Sequence, residues 1–113
     1  MNKVALAAPT VAPALMRFAD AVRETYGDAV VELRLFGSHA RSSAHEESDV
    51  DVAVVLDEAG WEIRRDVIDL ATDVGIAHGL SLSPTVFDRA EYERWRAQDR
   101  PLTRDIEEEG IPL

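Results

Sequence analysis

Gly37 and Ser38, followed after ten residues by Asp49-Val50-Asp51, are the side chains of this sequence best suited to chemistry. Two aspartates one residue apart on a strand leave the same face, so their carboxylates can share a hard cation. A glycine lets backbone approach a phosphate closely, and the serine adds a hydroxyl and an N–H at the start of a short helical turn. Together these are the parts of a metal–triphosphate site. The plainer reading is an ordinary turn and an exposed strand face. Against it, aspartate is depleted in strands, and two at this spacing repel unless a cation or donors compensate.

The flanking residues say what must position these groups. Val30-Val31-Glu32-Leu33-Arg34-Leu35-Phe36 reads as a first strand, and Val50, Val52, Val54 and Leu56 alternate with the aspartates in a second, from Asp49 to Leu56. The loop from Gly37 to Ser48 lies between them. Before it, Leu15, Phe18, Ala19, Val22 and Tyr26 fall at helical spacing within Thr10 to Tyr26, with Pro13 in the first turn and Gly27 as the stop. After it, Ile63, Val67, Leu70, Ala71 and Val74 predict a second helix over Trp61 to His78. Leu80 to Phe87 reads as a third strand, with Leu82 and Val86 on one face and Ser81, Ser83 and Thr85 on the other. Pro84 marks that strand as an edge or an irregularity. Asp88 to Leu113 reads as one or two short helices anchored by Tyr92, Trp95, Leu102 and Ile106. No internal repeat or low-complexity segment is present.

Composition narrows the function classes. At 113 residues the chain suits one domain over 1–113, and a hydrophobic fraction of 46% with 30% charge is ordinary for a globular protein. No run is long and apolar enough for a membrane span, because Val4-Ala5-Leu6-Ala7-Ala8 is interrupted by Pro9. The absence of cysteine removes disulfides, thiolate metal sites and cysteine nucleophiles, and agrees with a cytoplasmic address. With 22 acidic against 12 basic side chains the formal charge is −10, which repels a polyphosphate backbone. Arg94, Arg96, Arg100 and Arg104 are interleaved with Glu91, Glu93, Asp99 and Asp105 and make a mixed-charge surface. Nucleic acid is therefore disfavoured as main substrate, and a basic protein partner or a small metal-bound nucleotide is favoured.

The segment Leu35-Phe36-Gly37-Ser38-His39-Ala40-Arg41, followed by Ser48-Asp49-Val50-Asp51-Val52-Ala53-Val54-Val55, resembles the signature of the minimal nucleotidyltransferases. These are the small polymerase-β-like group often paired with HEPN-domain proteins. Length, element order and the ending Ile106-Glu107-Glu108-Glu109-Gly110-Ile111-Pro112-Leu113 extend the resemblance over most of the chain. It implies an α/β fold of α+β type, with a small mixed sheet and helices on one face. It implies transfer of a nucleoside monophosphate, AMP from Mg-ATP, to a hydroxyl of a protein partner, by an antitoxin acting on a HEPN-domain toxin. Asp49 and Asp51 would be the catalytic metal ligands for Mg²⁺ or Mn²⁺, and Gly37, Ser38 and Arg41 would hold the nucleotide. A homo-oligomer stays open. Arg41 matches the family's usual arginine and could clamp a phosphate; the alternative is a surface ion pair with Glu46 or Glu47.

Two departures accompany the resemblance. Ser42 replaces a frequent glycine, which is mild. The third strand carries no acid between Gly79 and Phe87, where family enzymes usually supply a third carboxylate that completes a second metal site and helps to activate the attacking hydroxyl. Leu80-Ser81-Leu82-Ser83-Pro84 resembles family strands in which Asp stands two residues before Ser-Pro, which puts Ser81 at the missing acid's place. A neutral hydroxyl is a weaker ligand than a carboxylate and a poor base. Asp88 is the near candidate for a substitute, while Asp66, Asp69 and Asp73 read as a solvated helix face. Two functions therefore stay open: a nucleotidyltransferase, or a catalytically impaired module that neutralises its partner by contact. His39 and His45 read as loop histidines within reach of a nucleotide, and His78 as a helix-end partner. Trp61 and Trp95 could stack on a base, but core or interface use is favoured.

Overall fold

The computed structural model describes residues 11–41 and 49–113. The expectations for Val4 to Thr10 and for Ser42, His45, Glu46, Glu47 and Ser48 lie outside the described residues. Helix α1 spans Ala12–Tyr26, a single 3-10 turn covers Gly27–Ala29, and strand β1 runs Val30–Phe36. Strand β2 is Val50–Leu56, helix α2 Trp61–His78, strand β3 Leu82–Asp88, helix α3 Arg89–Ala97, helix α4 Pro101–Glu109 and strand β4 Ile111–Pro112.

The four strands form a mixed sheet in the order β3-β2-β1-β4. β1 runs antiparallel to β2 and β4, and β2 runs parallel to β3. A parallel pair needs a crossover, which α2 provides. β3 is an edge, as Pro84 requires. β4 was not expected from the sequence: Arg34 pairs with Pro112 and Leu35 with Ile111, and the Leu113 N–H donates to the Leu33 carbonyl at 2.9 Å. So short a strand has too few residues to show an alternating pattern.

Two cores follow from the pleat of β2. Val50, Val52, Val54 and Leu56 face one core with Leu15, Phe18 and Val22 of α1 and with Val67, Ala71 and Val74 of α2. Ala53 and Val55 face the other, with Phe36, Phe87, Tyr92 of α3 and Ile106 of α4. The mixed α/β sheet is as expected, but the placement of helices on one face holds for α1 and α2 only. α3 and α4 cover part of the opposite face, because Ala53 and Val55 extend an apolar surface there that must also be buried. Phe87 anchors this second core, edge-to-face on both Tyr92 and Trp95 with ring centroids 5.3 Å apart in each pair. Trp95 is therefore a packing residue, covered by the Arg100 guanidinium at 4.4 Å from its ring. The Thr103 hydroxyl, fully buried, donates to the Arg100 carbonyl at 3.0 Å and so ties the α3–α4 corner.

Truncating Phe87→Ala removes the shared partner of two aromatic side chains and leaves a cavity under α3. Equilibrium denaturant unfolding should show a loss of about 3–5 kcal/mol. A loss below about 1 kcal/mol would mean that α3 and α4 are not packed through this ring.

Candidate active site

β1 ends at the point where the sequence changes from apolar alternation to Gly37-Ser38. Gly37 has φ +77°, a left-handed backbone that favours glycine. The chain then turns: the N–H groups of Ala40 and Arg41 both donate to the Gly37 carbonyl, at 3.1 and 3.2 Å. A second reason for glycine lies across the sheet. A Cβ at Gly37 would stand 2.4 Å from an Asp51 carboxylate oxygen. The absent side chain is what lets the turn and the Asp51 carboxylate lie against each other.

Asp51 is half-buried, and Asp49, immediately before β2, is exposed. The Asp51 carboxyl is held above the usual carboxylate range, first by burial and then by the negative charge of Asp49; His39 and Arg41 pull it back. All four groups thus act on one small region. Within β2, alternation puts Asp51 on the face opposite Val50 and Val52, and Asp49 stands one residue before the strand.

The parallel register decides what stands beside the carboxylates. Ser83 is the partner of Asp51, and the Val50 N–H donates to the Ser81 carbonyl at 2.9 Å, which sets Ser81 level with Asp49. Ser81 is exposed and Ser83 partly buried. Ser83 was not singled out from the sequence, although its alternation with Ser81 carried the signal. Asp88, the near candidate for a substitute acid, pairs with Leu56, five positions along the strand and about 16 Å from the level of Asp51. Its carboxylate caps α3 instead, accepting the Glu91 N–H at 2.7 Å, with Arg64 at 4.0 Å.

Arg41 forms an ion pair with Glu109 at 2.8 Å. Glu109, at the end of α4, was missed, because nothing local links two residues so far apart in sequence. The same helix is tied to β1: Arg34 bonds Glu107 at 3.2 Å and Glu32 at 3.1 Å, and the Tyr92 hydroxyl donates to Glu107 at 2.9 Å. His78 bonds the Val74 carbonyl at 2.9 Å in the last turn of α2, as expected of a helix-end partner. A cavity of 510 Å³ lies along the outer edge of β1, between Arg23 and Leu113, and neither aspartate lines it.

The pattern of the nucleotidyltransferase domain matches residues 15–109. The chain belongs to that family. A relative from Methanocaldococcus jannaschii, assigned as a protein adenylyltransferase, is 34% identical over 73 residues, which are 65% of this chain and 69% of its own. A solved structure assigned as a minimal nucleotidyltransferase superposes with a TM-score of 0.63 at 22% identity, over 92% of this chain and 93% of the other. A crystal structure of a toxin–antitoxin with AMP-PNP superposes with a TM-score of 0.57 at 20% identity, over 84% of this chain and 68% of the other. At these identities the two structures share the fold of this nucleotidyltransferase domain.

Nucleotidyltransferases generally use divalent cations, and part of this donor set fits one. Two carboxylates acting on one another beside a glycine turn are a place where a cation relieves repulsion. Among the described residues the fit is to one cation, held by Asp49 and Asp51. Among the described residues no three His, Asp or Glu side chains converge on a metal position, and the strand next to the aspartates offers hydroxyls.

Two outcomes follow. Because the folded-state pKa of Asp51 is raised, its ionised form weakens the fold at pH values above that pKa. The penalty is relieved as pH falls through it towards the unfolded value. Thermal melts in chelator should therefore show Asp51→Asn more stable than wild type at neutral pH, the difference shrinking on acidification and narrowing in Mg²⁺; an advantage independent of pH would refute this. Asp88→Ala should cost about 1 kcal/mol through its lost cap. Calorimetric titration of Mg-ATP should give the same affinity as wild type, whereas a weakened affinity would return Asp88 to the site.

Proposed function

We propose that this nucleotidyltransferase domain, in the cytoplasm, transfers AMP from Mg-ATP to a hydroxyl of a protein partner, as the antitoxin of a HEPN-type toxin. The observation that carries the reading is the contact of the Asp51 carboxylate with a side-chain-free Gly37, with Asp49, His39 and Arg41 acting on the same region. The protein adenylyltransferase assignment of the relative supports the reaction class, and the AMP-PNP-bound toxin–antitoxin structure supports the nucleotide and the kind of partner.

In such a transfer the acceptor oxygen bonds to the α-phosphorus, the bond from that phosphorus to the bridging oxygen breaks, and pyrophosphate leaves while the hydroxyl proton passes to a base. A divalent cation held by Asp49 and Asp51 would supply neutralisation of the triphosphate charge. Gly37 and the turn after it offer backbone close to the phosphates, with Ser38 adding its hydroxyl and N–H. Arg41 would clamp a phosphate on exchanging Glu109 for the ligand. The exposure of Asp49 suits an acceptor hydroxyl presented by a folded protein.

A second reading, neutralisation by contact alone, is favoured by the serines at 81 and 83. In the register of β3 these are the side chains beside the two aspartates, and neither accepts a proton at neutral pH.

Incubation with α-labelled ATP, Mg²⁺ or Mn²⁺ and the product of the neighbouring gene separates the readings. Transfer should be slow in wild type, lost in Asp49→Asn/Asp51→Asn, and raised by about tenfold or more in Ser81→Asp, which restores a carboxylate beside Asp49. No label transfer by any variant, with Mg-ATP still bound, would refute the enzyme and leave the contact module. Rapid transfer by wild type that is unchanged in Ser81→Ala would refute the account of a missing third carboxylate.

A further inference from the structure

The fold places a carboxylate against Arg41 before any ligand arrives. Glu109 is the last residue of α4, and its carboxylate oxygen stands 2.8 Å from the Arg41 guanidinium. Both partners are tied to the same stretch of β1. Two residues after Glu109, Ile111 pairs with Leu35; two residues after Leu35, the Gly37 carbonyl accepts the Arg41 N–H at 3.2 Å. A two-residue tether spans at most about 7 Å, so the ends of the pair stay close to one another. The pairing of β4 with β1 thus builds the contact into the fold.

Arg41 also feels the acidic site. Glu109 first, then Asp105 and Asp51, hold its guanidinium above the ordinary range, and Arg41 in turn pulls the raised pKa of Asp51 back down. The arginine therefore stands between the end of α4 and the carboxylates. A carboxylate and a phosphate engage a guanidinium through the same planar fork of N–H groups, so a ligand phosphate can take Arg41 only by displacing Glu109. With more acceptor oxygens and more charge, the phosphate prevails.

We infer that Glu109 is a resident competitor of the nucleotide phosphates for Arg41, which lowers the affinity of the empty site for a nucleoside triphosphate and recaptures the arginine when the ligand leaves. The inference rests on the nucleotide site proposed above. Solvent bounds its size: the Arg41 and Glu109 side chains keep 47% and 34% of their surface exposed, and an ion pair in that setting changes an equilibrium by at most about fivefold. Glu109 weakens binding without preventing it. A contact that only steadied the Gly37 turn would have the opposite sign, because its loss would loosen the turn and weaken nucleotide binding.

The test is calorimetric titration of Mg-ATP into the full chain and its variants at low ionic strength. Glu109→Gln, which keeps the side-chain shape and removes the charge, should tighten binding by about two- to fivefold, with the gain shrinking as salt rises. Glu108→Gln makes the same charge change one residue away, on the side of α4 that acts on Arg104, and should leave the affinity at the wild-type level. In an Arg41→Ala background, Glu109→Gln should give no gain. Unchanged or weaker binding by Glu109→Gln, an equal gain from Glu108→Gln, or a gain that persists without Arg41 would overturn the inference. The nucleotide site is judged separately. Mg-ATP binding that is lost in Asp49→Asn/Asp51→Asn keeps that site whatever Glu109 does, and no binding of Mg-ATP by wild type or any variant would overturn both.

Discussion

The pleat of β2 is the constraint on which the rest of the structure depends. A strand has a side-chain period of two, so committing Val50, Val52, Val54 and Leu56 to the core under α1 and α2 commits Asp51, Ala53 and Val55 to the other face. That face then has two unlike ends. At one end Ala53 and Val55 continue into Phe87, Tyr92 and Ile106 and must be covered; at the other the aspartates must stay uncovered. α3 and α4 resolve the conflict by covering only the apolar end.

The acidic end is held together at some cost. Asp51 is partly removed from water and lies beside a second negative charge, and both effects oppose its ionisation. Proteins tolerate such arrangements at functional sites, where the compensating charge arrives with a ligand. Here the compensation within the chain is partial: Arg41 and His39 offset Asp49, and Arg41 is itself shared with Glu109. The ion pair joins the end of α4 to the turn after β1, while Arg34 and Glu107 join the same helix to the strand that leads into that turn. The C-terminal helix thus braces the Gly37 turn from two sides, although its residues lie far from the turn in sequence.

Much of this was legible in the amino-acid order, for a physical reason that can be named in each case. Alternating valines and aspartates specify a strand and the two faces of that strand; Gly37 next to Ser38 specifies a turn; periodic apolar residues from Trp61 to His78 specify a helix that the structure reproduces to the residue. These are local regularities, and local regularities are printed in the sequence. Tertiary structure decided the rest. Ser83 stands beside Asp51, and Asp88 is carried off to cap α3, because the register of two parallel strands is set by a crossover helix and not by either strand alone. β4 exists only because β1 offers it an edge. Glu109 reaches Arg41, and α3 and α4 take the face that carries the aspartates, because an apolar surface on that face had to be buried. Each of these is a contact between segments distant in the chain, and no local pattern encodes a contact of that kind.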